Sequence, residues 1–139
     1  MTRFTRVSAS LAPPSSSAVR RFLSLWGPVI VYMALIHTES SMSNPPEPPG
    51  ISDKVLHFGA FGGLALLSLR ALAGATWRGV KPWTLIGCVM ITLLYGVKDE
   101  WHQMYTPGRT SDVMDVAADL SGGLVVAIVA GAWSIIRRL

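Results

Sequence analysis

Cysteine is almost absent. Cys88 stands alone in an apolar run, so no disulfide can form within the chain, and cysteine usage leaves its compartment unspecified. Charge is scarce as well: 14% of the 139 residues are charged against 50% hydrophobic, and mean hydropathy is +0.43. Those values exclude an ordinary soluble domain of this size and suit one helical domain that turns its apolar surface to lipid. Residues 1–21 contain no acid, and the chain shows no internal repeat. No Gly-x-Ser-x-Gly elbow surrounds Ser111 or Ser121, which removes the common serine-hydrolase reading. Although the pI is near 9.7, the basic residues form no patch of the kind nucleic acid requires, so nucleic acid is not an expected partner.

What is present is four apolar stretches with charge between them. Residues 1–21 carry Arg3, Arg6, Arg20, Arg21 and a Pro-Pro-Ser-Ser-Ser tract, and read as a flexible basic cytoplasmic tail. Residues 22–138 form the domain. The first span covers 22–37 and needs an extra turn to reach the roughly 20 residues that a bilayer core demands; Gly27-Pro28 should kink it. The Arg-rich start resembles a signal peptide, but no Ala-x-Ala site follows, so the run is read as retained. Residues 39–53 hold four prolines and form an extended loop. A second span runs over 55–73, with Gly59 and Gly63 as a GxxxG step. The third covers 83–97 and continues through 98–103, and the fourth covers 113–136.

The charges then fix the expected topology. Arg3, Arg6, Arg20, Arg21, Arg70, Arg78, Lys81, Arg137 and Arg138 fall on one side, whereas Lys54, Lys98 and Arg109 fall on the other with all the acids. The positive-inside rule predicts an all-α bundle of four transmembrane helices with both termini cytoplasmic.

Chemistry gathers on the opposite face. Residues 98–109, Lys-Asp-Glu-Trp-His-Gln-Met-Tyr-Thr-Pro-Gly-Arg, place Asp99, His102 and Gln103 at i, i+3 and i+4 on one helix face. Thr106-Pro107-Gly108-Arg109 then reads as a type II turn. Asp53, Lys54 and His57 open the second span, and Asp112, Asp115 and Asp119 the fourth. Ser52-Asp53 and Asp112 sit where N-caps are expected. Asp115, Asp119, Gly123, Ala127 and Gly131 repeat every four residues, a small-residue stripe that should turn both aspartates into the bundle.

Three pieces in order carry a resemblance: Asp-Lys-x-x-His-Phe at 53–58, Asp-Glu-x-His-Gln followed by Pro-Gly-Arg at 99–109, and Asp-x-x-x-Asp-x-x-Gly at 115–122. Together they resemble the VanZ-like membrane proteins. The resemblance implies a four-helix protein of the bacterial inner membrane, a role related to low-level resistance to the glycopeptide teicoplanin, and matching positions at Asp53, Lys54, His57, Asp99, Glu100, His102, Gln103, Arg109, Asp115 and Gly122. It does not say whether the protein is an enzyme.

Ionisable groups at membrane depth are functional candidates. Asp99, Glu100, His102, Asp115 and His57 are the candidates for catalysis. Gln103, Arg109, Lys54 and Asp53 are candidates for binding substrate, and Asp115 and Asp119 for binding metal. Arg109 offers a fork suited to phosphate. Yet Asp53, Asp99, Glu100, Asp112, Asp115 and Asp119 set six carboxylates against the three cations Lys54, Lys98 and Arg109. A phosphate on a lipid headgroup or lipid-linked wall precursor would therefore need protonated acids or a divalent cation to bridge it. The alternatives are a non-catalytic structural or partner-binding module, in which these groups clamp the helices, and a small proton-coupled transporter. Four helices without an inverted repeat make a small carrier unless the chain forms a homo-oligomer.

Overall fold

A computed structural model of the chain describes residues 15–46, 48–76 and 80–137. Most of the expected tail, with Arg3 and Arg6, lies outside those residues, as do Glu47, Arg78 and Arg138. The described structure is all-α, with four helices: α1 (Ser16–Ser40), α2 (Asp53–Leu72), α3 (Pro82–Gln103) and α4 (Val113–Ile136).

Each helix begins where local chemistry allows. Ser15 caps α1 by accepting from the Ala18 N–H at 3.3 Å, so the helix takes in residues 16–21, which were expected to be tail. It also runs three residues past His37 (37 to 40), supplying the extra length that the apolar run lacked. Pro82 opens α3, where its missing N–H is no loss. Pro28 lies inside α1 and denies the Ser24 carbonyl its helical partner. The Arg70 guanidinium of α2 donates to that carbonyl at 3.1 Å.

Helices α1, α2 and α4 are long and apolar enough to cross a membrane. The described α3 is not in that set, because its last turns carry Lys98, Asp99, Glu100, His102 and Gln103. Large apolar side chains stay exposed along the bundle, among them Val31 and Leu35 on α1, Ile86 and Leu94 on α3, and Ile128 and Val129 on α4. Such a surface is stable against lipid and not against water. The interior divides into two clusters. One gathers Val29 and Ile36 with Phe61, Leu64 and Ala71. The other gathers Leu69, Val80, Cys88 and Ala127.

The broadest helix contact is between α2 and α4. Its closest approach uses Gly62 and Gly122. A Cβ on Gly122 would run into the Phe58 carbonyl and stand 2.9 Å from the Gly62 nitrogen. Gly59 faces open space, and Gly63 lies under the Tyr32 ring of α1. The small stripe on α4 does turn inward as expected: Asp115, Asp119, Gly123 and Ala127 are all buried.

The four-helix arrangement leaves two unlike ends. Lys54 reaches Asp112, and Ser41 reaches His102, so the α1–α2 and α3–α4 connections meet at one end, which holds the acids. Arg70 and Ser24 meet at the other, together with the ends bearing Arg20, Arg21, Lys81 and Arg137.

Candidate functional site

The seam between α2 and α4 carries the densest chemistry. The Lys54 ammonium donates to Asp112 Oδ2 at 2.7 Å and Asp115 Oδ1 at 2.6 Å. One turn deeper, His57 Nδ1 is 2.9 Å from Asp119 Oδ1, and the ring's Nε2 lies 3.8 Å from Asp53 Oδ1. Asp115 and Asp119 are 2% and 0% exposed, a depth at which a carboxylate needs a partner. Asp119 Oδ2 lies against Gly96 of α3, where a Cβ would stand only 2.5 Å away, so that glycine makes room for the acid. Asp112 caps α4 as expected, accepting from the Met114 N–H at 2.8 Å. The Lys54 hydrogen bond, aided by that N–H, holds the Asp112 carboxyl below its ordinary value. Asp53 does not cap α2. Ser52 holds that position without a side-chain bond, and Asp53 is the first helical residue, with its carboxylate turned toward His57.

The end of α3 supplies the second part. Gln103 Nε2 donates to Asp99 Oδ2 at 3.2 Å, as their i, i+4 spacing allows. The Gln103 carbonyl oxygen accepts from Arg109 Nε at 3.2 Å and Nη2 at 3.0 Å. Arg109 can reach back because the chain reverses at Thr106–Arg109. The Arg109 N–H bonds the Thr106 carbonyl at 3.1 Å, and Gly108 has φ +83°, as a type II turn requires. Among the described residues Arg109 pairs with neither Asp112 nor Asp115. Glu100 Oε2 accepts from the Asp112 backbone N–H at 2.7 Å and so ties α3 to the start of α4.

His102 parts company with Asp99 and Gln103. Its ring packs on His37 of α1 with centroids 4.4 Å apart, and its Nε2 is 3.0 Å from Ser41 Oγ. Lys98 Nζ is 2.9 Å from His37 Nδ1 and sits 5.0 Å from the Tyr95 ring centre. In the sequence, His37 marks only the end of the first span. The chain has three histidines, and one on the last turn of an apolar run was the available signal.

A cavity of about 280 Å³ opens beside the seam, lined by Glu39, Asp53, His57 and Asp99 among the apolar Ile36, Leu56, Ala60 and Phe61 and two loop prolines. Glu39 was not a candidate from sequence. Asp53, His57 and Asp115 each bring a ligand-type atom within 4.8 Å of the others. Asp119 stands behind this set, on the far nitrogen of His57. Asp99 Oδ1, Glu100 Oε1 and Asp119 Oδ2 are buried without a hydrogen-bond partner among the described residues.

A helical bundle with three membrane-length apolar helices, and with buried carboxylates and an imidazole gathered at one end, is a small polytopic membrane protein. The VanZ/LLP1 family model matches residues 7–135, nearly the whole chain, and the protein belongs to that family. No curated protein and no solved structure matches it.

Proposed function

We propose that the acid end of this VanZ-family membrane protein binds or modifies a phosphate-bearing component of the bacterial cell envelope, a lipid-linked precursor or a phospholipid headgroup, at the outer face of the inner membrane. The supporting observation is the state of Arg109. Its guanidinium is fixed by two hydrogen bonds to Gln103, itself held by Asp99, and has no carboxylate partner among the described residues. A positioned, acid-free guanidinium is a fitting receptor for phosphate. The outward orientation rests on the segregation of basic and acidic ends. In this orientation α3 also crosses the bilayer and both termini are cytoplasmic. The glycopeptide-related role that the family suggests fits a site among wall precursors. Asp99, Glu100, Asp115 and His57 are then the groups available to act as acid, base or cation ligand, while His102 acts from the α1 side.

A second reading has an observation of its own. Lys54–Asp115 and His57–Asp119 both bridge α2 and α4, so the polar groups act as a clamp in a non-catalytic module. Binding of a polyprenyl phosphate to protein in lipid nanodiscs separates the two. The first reading expects saturable binding, reduced at least tenfold in Arg109→Ala with the melting temperature unchanged. Equal binding by wild type and Arg109→Ala would leave the clamp.

A further inference from the structure

We propose that the α2–α4 seam holds a divalent transition-metal ion through Asp53, His57 and Asp115, with Asp119 as the residue that orients the imidazole. Ligand-type atoms of the three lie within 4.8 Å of one another. The histidine is arranged as a metal-binding histidine usually is: one ring nitrogen meets a buried carboxylate, which fixes the tautomer and aims the other nitrogen. Here Nδ1 meets Asp119 Oδ1 at 2.9 Å, and Nε2 faces Asp53 Oδ1 at 3.8 Å. That second distance is too long for a hydrogen bond. It is close to the separation of about 3.4 Å expected between two ligands that each stand about 2.0–2.1 Å from a tetrahedral ion. Asp115 gives one oxygen to Lys54 and has the other for the ion.

An independent observation comes from α3. Asp99 is 1% exposed, lines the same cavity as Asp53 and His57, and has an oxygen with no partner among the described residues. It completes the ligand shell directly or accepts from an ion-bound water. Charge points the same way: Lys54 meets Asp112 and Asp115, while Asp53, Asp99 and Asp119 have no Lys or Arg partner among the described residues. An imidazole among carboxylates selects Zn²⁺ or Mn²⁺ over the all-oxygen ions Mg²⁺ and Ca²⁺.

This assignment deepens the reading above by naming the cation that would bridge a phosphate to an acidic site, and it is tested with metal alone. The full chain in nanodiscs, stripped with chelator, is titrated calorimetrically with Zn²⁺, Mn²⁺ and Mg²⁺. Expected are one saturable site for Zn²⁺ or Mn²⁺, Mg²⁺ at least tenfold weaker, and loss of at least tenfold in Asp53→Asn and His57→Gln. Asp119→Asn, which keeps the hydrogen bond but not the charge, should lose about 10–100-fold. Asp53 is half-exposed on the first turn of α2, so its variant folds even if a deeper one does not. His37→Gln removes an imidazole of the other pair and should bind as wild type does. Absence of saturable binding, wild-type affinity in Asp53→Asn, or loss confined to the His37 variant would overturn the proposal and leave His57 an ion-pair partner of Asp53 and Asp119. The lipid titration with Arg109→Ala is read separately, so metal binding without lipid binding would sink only the phosphate reading.

Discussion

His57 on α2 and Asp119 on α4 meet at 2.9 Å with both side chains out of solvent, and the second Asp119 oxygen rests against the Cα side of Gly96 on α3. One pair thus ties together three helices. Its partners are separated by 62 positions in sequence, so only the folded bundle creates it.

Removing one member should therefore be worse than removing both charges. His57→Leu leaves a buried carboxylate without its partner, an expected loss of about 1–3 kcal/mol. Adding Asp119→Asn to that variant should restore part of the loss, because a neutral amide costs less to bury than an ion. Thermal melts of the two variants in nanodiscs check this. A double variant less stable than the single one would count against a buried charge as the cause.

Glycine at the α2–α4 crossing gives the sharpest contrast. Gly122→Ala forces a methyl against the backbone of Phe58 and Gly62, neither of which can rotate away. The expected penalty is about 1–3 kcal/mol, as for other overpacked sites. Gly59→Ala meets nothing within 4 Å and should be neutral or slightly stabilising, since alanine favours helix. Melting temperatures of the pair decide it.

Acid should weaken one contact in a defined direction. The Asp112 carboxyl is held below its ordinary value of 3.8 by Lys54. A group depressed in the folded state contributes fully above that ordinary value, and the contribution is lost as pH falls through the lower folded value. The stability difference between wild type and Asp112→Asn, which can still cap α4, should be level above about pH 4 and shrink below it. A difference that grew toward acid would reverse the sign and exclude the Lys54 pairing.

Orientation is open to labelling in intact cells. Cysteine at Ser43, exposed in the loop at the acid end, should react with an impermeant maleimide, and cysteine at Ser16 should not. The native Cys88, fully buried, should stay silent in both backgrounds. Equal labelling at the two positions would contradict a bundle with cytoplasmic termini.

Much of the architecture was legible because it rests on runs and spacing. Four apolar segments gave four helices, the four-residue stripe turned Asp115 and Asp119 inward, and Pro107-Gly108 marked the turn that returns Arg109 to Gln103. Pairings between helices were not legible. Spacing put His102 on the face of Asp99, yet the ring turned to His37 and Ser41, partners that only the packing of α1 supplies. The GxxxG pattern pointed to Gly59 and Gly63; Gly63 does lie against Tyr32 of α1, but Gly59 meets nothing and the α2–α4 crossing falls at Gly62, because the point of approach depends on where α4 lies. Arg109 lies close in sequence to Asp112 and Asp115, but its partner is Gln103 at the end of α3, which the turn brings within reach from the other direction. Ser52-Asp53 read as a cap because the pair precedes the apolar run; Ser52 takes the cap position and Asp53 falls in the first turn.

Gly122 lies three residues from Asp119, and Phe58, whose carbonyl it faces, directly follows His57. The backbone approach and the imidazole–carboxylate contact are thus about one helical turn apart, and the first sets the second. Any side chain at position 122 would lever the two helices open at the turn that carries the pair. A screen that scored each position by what its side chain touches would pass over this residue. Yet the geometry of the seam depends on position 122 carrying no side chain, so substitutions there should track those at His57 and Asp119 in their effect on ligand affinity, even where the protein still inserts.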